Sequence, residues 1–294
     1  MKIARILVAT DFSPASDRAV EAAVHWAKLE RAALHLIHVA PLRNMLGESW
    51  GVPSAAARAI YRQATETLHA MAANVDPHKE LMITTGLRTG RAARRVLEAA
   101  RDFCADLLVL GAYGEHENKE HRSALGGTSS RIAHSTTVPL LLVRSAQQAQ
   151  PVAVAAVDLG PQSRRLVAWA THAARGGKVH VFHAYEAPYG ERLRAYGLAR
   201  ETIAVYSQDE RTRRENELAK LCSFAPLNTT VQFAIERGEP SRETLHFAER
   251  VGAGLIVVGK HNLAPPGTRT PPYGSVCRSI ASFARSDVLI VPPE

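Results

Sequence analysis

The chain has 294 residues, 46% of them hydrophobic, a net charge of +8 and three cysteines. That length fits roughly two domains of about 150 residues, each able to bury a core, and no apolar run reaches the ~18–20 residues of a membrane helix. Cys104, Cys222 and Cys277 are widely spaced with no CxxC pair, which argues against a disulfide framework or zinc ribbon and for a reducing cytoplasm.

The start, Met1-Lys2-Ile3-Ala4-Arg5, enters a strand directly and leaves no room for a signal peptide. In the first half, strands are expected near 3–10, 33–39, 80–86, 106–111 and 138–143. The first helix is expected to start around Ser16, with Ala19, Val20, Ala23, Val24 and Ala27 at helical spacing. Ser13-Pro14 and Ser16 carry its turn and N-cap signals. Further amphipathic runs cover about 54–74 and 91–103. The polar stretch from Ser145 to Pro151 reads as a linker. Beyond it, strands are expected near 151–157, 178–184, 229–235, 254–259 and 287–291, with helices at about 162–174, 197–223 and 240–251. Short, continuously apolar strands alternating with helices imply a parallel sheet covered on both faces.

The second half repeats the first. Arg5-Ile6-Leu7-Val8-Ala9-Thr10-Asp11 returns as Val152-Ala153-Val154-Ala155-Ala156-Val157-Asp158, and Asp106 to Gly111 returns as Gly254 to Gly259. Asp11 and Asp158 are 147 positions apart; Gly111 and Gly259, and Gly126 and Gly274, are 148 apart. An offset this constant over three landmarks marks a duplicated domain, with a period too long for a solenoid. The domains are expected at 1–145 and 151–294.

Ligands of such sheets bind at the carboxyl ends of strands where strand order reverses, here after the first and fourth strands. The fourth strand ends in Gly111-Ala112-Tyr113-Gly114, followed by eleven residues and then Gly126-Gly127-Thr128 opening a helix. The copy reads Gly259-Lys260-His261-Asn262, eleven residues, Gly274-Ser275. Glycines let backbone amides approach an anion, and a helix start points unpaired N–H groups at it. Thr128, Ser129 or Ser275 would add a hydroxyl donor. Asp11 and Asp158 suit a ribose hydroxyl or a cation bridging to phosphate.

With these residues, and with Val8-Ala9-Thr10-Asp11-Phe12-Ser13-Pro14-Ala15-Ser16, Ile37-His38-Val39, Thr89-Gly90 and Val138-Pro139-Leu140-Leu141-Leu142-Val143, the chain resembles the universal stress protein family in its tandem form, over nearly its whole length. The resemblance implies two Rossmann-like (adenine nucleotide alpha hydrolase-like) α/β domains. Each would hold a five-stranded parallel sheet of order 3-2-1-4-5 with helices on both faces. It also implies an intrachain pseudo-dimer of the two domains, and leaves a homodimer open. Many members bind ATP, with Mg2+, through a Gly-x2-Gly-x9-Gly-Ser/Thr loop. Carried over, the site takes Asp11 for ribose or metal, the backbone of Val39 and Ala40 for adenine, and Gly111, Gly114, Gly126, Gly127 and Thr128 for phosphates. The second half would use Asp158, Ala184, Gly259, Gly274 and Ser275. Both spacers are two residues longer than the pattern, Gly127 stands where the hydroxyl residue belongs, and Asn262 replaces the second glycine. Nucleotide is therefore expected in the first half rather than the second. The alternative is a nucleotide-independent stress or interaction protein with degenerate loops.

Other constellations point elsewhere. The loop His116-Glu117-Asn118-Lys119-Glu120-His121 reads as solvated charge rather than a metal site. His38 and His183, at matched ends of the second strand, read as structural. Cys104 reads as a small core residue, while Cys277 sits where a helix's positive end would lower a thiol pKa. Trp26 and Trp169 read as packing. The basic residues, among them Arg91, Arg94 and Arg95, are scattered with no aromatic interleaving, so a generic surface is expected and not a specific nucleic-acid site. No Ser-His-Asp order, paired carboxylates or HExxH appears, and no general base or arginine finger stands out, so any ATP hydrolysis would be slow. Phe12-Ser13-Pro14-Ala15 lacks the phosphate-grasping signature of a nucleotide-dependent ligase or transferase.

Overall fold

The computed structural model describes residues 1–40, 55–113, 125–144, 152–185, 199–224, 229–260 and 274–293. They fall into two compact units: 1–144, and 152–260 together with 274–293. The linker, Gly114, the His116–His121 loop, Asn262 and the proline-rich spacer lie outside the described residues.

The described elements of the first unit are β1 (Arg5–Thr10), α1 (Pro14–Glu30), β2 (Ala33–Ala40), α2 (Ala55–Val75), β3 (Ile83–Thr89), α3 (Ala92–Asp102), β4 (Leu107–Gly111), α4 (Gly127–Ser135) and β5 (Leu140–Val143). In the second unit they are β6 (Ala153–Ala156), α5 (Ser163–Ala174), β7 (Lys178–Tyr185), α6 (Arg200–Cys222), β8 (Thr230–Arg237), α7 (Pro240–Arg250), β9 (Leu255–Gly259), α8 (Ser275–Phe283) and β10 (Asp287–Val291).

Within the first unit every strand pair is parallel, in the order β3-β2-β1-β4-β5, with Ile6 level with Leu34 on one side and Leu107 on the other. The second unit repeats this as β8-β7-β6-β9-β10. The chain leaves β1 in one direction to β2 and returns on the other side as β4, so the crevice lies beyond the carboxyl ends of β1 and β4. Continuous apolar runs make the central strands: Ile6, Leu7 and Val8 in β1 and Leu107 to Val109 in β4 are fully buried. Each such side chain contributes about 1.5–3 kcal/mol, which is why these strands are specified without any alternation.

The first helix starts earlier than expected. Ser13, not Ser16, is the N-cap: its Oγ accepts the Ser16 N–H at 3.2 Å, and Pro14 takes the first helical position, where a missing N–H costs nothing. Helix α1 buries Ala19, Val20, Ala23, Val24, Trp26 and Ala27; Trp169 is likewise buried on α5. Strand β3 begins three residues later than expected because the preceding residues form a turn. There Leu81 N–H donates to Asp76 Oδ2 at 2.9 Å and Lys79 N–H to Asp76 O at 3.1 Å. The long α6 shows almost no apolar face beyond Ile203 and Leu218, and is laced by pairs such as Arg211–Glu215 at 2.8 Å. Among the described residues no helix is long and apolar enough to cross a membrane.

Candidate functional site

At the carboxyl end of β1 the backbone is held in an unusual shape. Asp11 Oδ1 accepts from Ser13 N–H at 3.1 Å and from Ser13 Oγ at 2.5 Å, while Phe12 takes a left-handed φ of 63°. A bulky residue rarely adopts that conformation, which costs about 1–3 kcal/mol and persists only where its surroundings over-determine it. Here Phe12 N–H donates to Thr10 Oγ1 at 3.0 Å, and its ring stacks on His38 at 4.3 Å between centroids. His38 Nδ1 in turn bonds Thr10 O at 2.8 Å. Asp11 thus sits half-buried on a braced turn with an aromatic pair beside it.

The expected adenine edge lies next to this turn. The β1–β2 ladder ends at Thr10 and His38, so Val39 and Ala40 run past it while staying paired with Arg88 and Thr89 of β3. The Ala40 carbonyl accepts the Gly90 N–H at 3.3 Å.

On the other side of the crevice, Gly111 ends β4 pressed against α1. A Cβ there would stand 3.0 Å from Ala15 O and 3.1 Å from Ala15 C. Ser129 Oγ donates to Gly111 O at 2.8 Å, which ties the strand end to α4. Ser129 is therefore turned inward, and the hydroxyl available at this helix start is that of exposed Thr128. Gly126 is the N-cap of α4 and makes no side-chain cap hydrogen bond, and a Cβ on exposed Gly127 would meet nothing within 4 Å. Among the described residues no side chain accepts from the first-turn N–H groups of α4. That open start beside small residues is the arrangement that receives an anion. The structure thus places Asp11, Gly111, Gly126, Gly127 and Thr128 around one strand-reversal crevice, with Val39 and Ala40 along its β2 side.

The second unit keeps the frame and changes the lining. Leu159 repeats the left-handed turn with a φ of 65°, and exposed Asp158 accepts from Gly160 N–H at 2.9 Å and Ser163 Oγ at 3.3 Å. His183 Nδ1 bonds Val157 O at 2.8 Å, as His38 bonds Thr10. Burial lowers the His183 pKa, against the pull of that bond, so both histidines are structural braces. Ala184 runs past β6 as Ala40 does past β1. Gly274 caps α8 without a side-chain bond and Ser275 is exposed.

Three residues distinguish this crevice. Where Ala15 lines Gly111, Gln162 lines Gly259, with Oε1 3.0 Å from the position of an added Cβ, buried and without a hydrogen-bond partner among the described residues. Where Ala112 follows β4, Lys260 follows β9 as a fully buried side chain. Where Thr128 opens its helix, Val276 stands instead. Burial pushes the Lys260 ammonium down to about 8, opposed by Cys277 across the start of α8. Nothing in the sequence marked Lys260, which follows a strand, or Gln162, which precedes a helix, because polar residues at both places ordinarily reach solvent.

The cysteines depart from expectation. Cys277 is buried, and burial pushes its thiol up to about 12, outweighing both the nearby Lys260 charge and the helix start. Cys104 is not in the core: it follows the end of α3 with a φ of 50° and is exposed. Alkylation of the native chain under mildly alkaline conditions is expected to label Cys104 and spare Cys277. Early modification of Cys277 in a peptide map would contradict this burial.

The repeated frame defines a tandem, doubly wound α/β protein with a glycine-capped helix start beside each reversal crevice. The chain belongs to the universal stress protein family, whose model matches residues 2–144 and again 152–292. It is 26% identical over 310 residues to a universal stress protein of Mycolicibacterium smegmatis, covering 98% of this chain and 97% of that protein. It is 28% identical over 143 residues to universal stress protein A homolog 2 of Coxiella burnetii, covering 48% of this chain and 94% of that one. The crystal structure of a universal stress protein from Archaeoglobus fulgidus shares the fold, with a TM-score of 0.67, 17% identity and 98% of each chain covered.

Proposed function

We propose that this tandem universal stress protein binds ATP or a related adenine nucleotide, with Mg2+, in the crevice of its first unit as a regulatory ligand in the cytoplasm. The observation that carries the reading is the start of α4, which has no side-chain cap, where a Cβ on exposed Gly127 would meet nothing within 4 Å and Thr128 is exposed, with Asp11 on its braced turn at the end of β1, the strand next to β4. Phosphates would take the N–H groups and hydroxyl of that first turn, Asp11 the ribose or the cation, and the backbone of Val39 and Ala40 the base. Gly114, the remaining member of the expected loop, lies outside the described residues. The second unit is read as nucleotide-independent, because Lys260, Gln162 and Val276 stand where the first unit has Ala112, Ala15 and Thr128. The cytoplasmic reading draws on three cysteines that form no disulfide.

Nucleotide-stripped chain titrated with ATP and magnesium is expected to saturate at one site. Asp11→Ala should weaken binding about tenfold or more, equivalent to roughly 1.4 kcal/mol, and Asp158→Ala should leave it unchanged. Absence of binding at concentrations on the order of millimolar would end this reading. Equal losses from both variants would end the assignment to the first unit.

A further inference from the structure

The arginines that look scattered in the sequence come together in the fold. Arg91, Arg94 and Arg101 on and before α3, and Arg131 on α4, line one groove of about 970 Å³ together with Thr128 and Ser135 of α4. Its lining on α3 runs from Ala92 to Arg101, roughly 15 Å at 1.5 Å per residue. Glu98 is the groove's acidic lining residue and is already neutralised: Arg94 Nε bonds it at 2.7 Å and Arg95 Nη1 at 2.8 Å. Arg91, Arg101 and Arg131 are exposed and make no ion pair among the described residues. Three uncompensated guanidiniums therefore share one trench.

The duplication provides an internal control. Positions 148 further on, Arg91, Arg95, Arg101 and Arg131 become Glu239, Glu243, Glu249 and Ser279, while Glu98 becomes His246 and Thr128 becomes Val276. The difference reaches the backbone. In the second unit Glu239 caps α7, its carboxylate accepting from Ser241 N–H at 3.0 Å and Arg242 N–H at 2.7 Å. In the first unit the N-cap of α3 is Arg91, which makes no side-chain cap bond. One unit thus supplies its own anion at this helix start, and the other surrounds the same donors with arginines.

From this geometry we infer that the α3–α4 groove of the first unit binds a condensed phosphate chain. Guanidinium forks suit phosphate oxygens, and several in a row suit a ligand with charge on every unit. Among the described residues the lining holds no aromatic ring on which a base could stack, which disfavours single-stranded nucleic acid. Among the described residues its apolar lining beyond alanines is Leu97, with no aromatic anchor for a protein partner. The chain could be free polyphosphate or part of a nucleoside polyphosphate reaching past Thr128. The groove shares Thr128 with the proposed nucleotide site but does not include Asp11, so the two readings are separated by the Asp11→Ala variant.

The test titrates the full chain with short-chain inorganic polyphosphate, diadenosine tetraphosphate, ATP and a single-stranded RNA oligomer. Arg101→Glu with Arg131→Glu is compared with Arg213→Glu with Arg278→Glu, which changes net charge equally on the second unit. The groove pair should lose about tenfold or more in polyphosphate affinity, and the control pair much less. Binding of free polyphosphate that survives Asp11→Ala assigns the chain to the groove alone. Groove-dependent binding of diadenosine tetraphosphate without free polyphosphate assigns it to a nucleotide-borne chain. Equal losses in both pairs, no binding of either phosphate chain, or tighter groove-dependent binding of RNA would overturn the proposal.

Discussion

Gly111→Ala is expected to destabilise the chain by about 1–3 kcal/mol, the range for forcing an extra methyl into a packed site, and to weaken nucleotide binding. The equivalent Gly259→Ala should cost little. The added Cβ at Gly111 meets backbone, with Ala15 O at 3.0 Å and Tyr113 O at 3.2 Å. Relief there requires the first turn of α1 to move off β4, and that turn carries Ser13 and Ser16, which brace Asp11. At Gly259 the added atom meets the side-chain ends of Gln162 at 3.0 Å and Leu166 at 3.3 Å, which can rotate. Gly259→Ala also removes conformational freedom from the unfolded chain, which offsets part of the contact. Denaturant unfolding of the two variants, with ATP titration of each, checks the pair. Equal midpoints would mean that α1 is not seated on Gly111 as described.

The same pair shows what was legible in the sequence. The apolar runs of β1, β4, β6 and β9 and the glycines after them could be read because burial on both faces demands continuous hydrophobicity and a helix start demands small residues. Strand β3 was misplaced by three residues because it alternates between half-buried and exposed positions, with Thr84, Thr85 and Arg88 among them. Leu81 and Met82 resemble strand residues more than these do. The left-handed turns at Phe12 and Leu159 carried no signal, since glycine or asparagine ordinarily announces that conformation. Cys104 was misjudged for a similar reason: it takes a positive φ just past a helix end, where a residue is pushed outward. The arginine groove was invisible because its members lie up to 40 positions apart, from Arg91 to Arg131, and only the packing of α3 on α4 gathers them.

Lys260→Met is expected to raise the unfolding free energy at neutral pH by about 1–4 kcal/mol, the range seen when buried charge gives way to an apolar side chain of similar volume. The side chain is fully buried, and with its pKa lowered to about 8 it is still mostly charged at pH 7. Its ordinary value is 10.5, so between about 8 and 10.5 the unfolded chain binds more protons at this group than the native one does. Native stability therefore gains from this lysine as pH rises through that window, and carries its full penalty below it. The advantage of the methionine variant should accordingly be largest near neutrality and shrink toward pH 10.5. Denaturant midpoints for both proteins across that range give the comparison. A variant less stable than the parent at neutral pH would show that the ammonium braces α8 through its contacts by more than its burial costs. ATP stoichiometry should stay at one per chain either way, because Gln162 and Val276 remain in the second crevice; a second equivalent bound after the substitution would identify Lys260 as the residue that closes it.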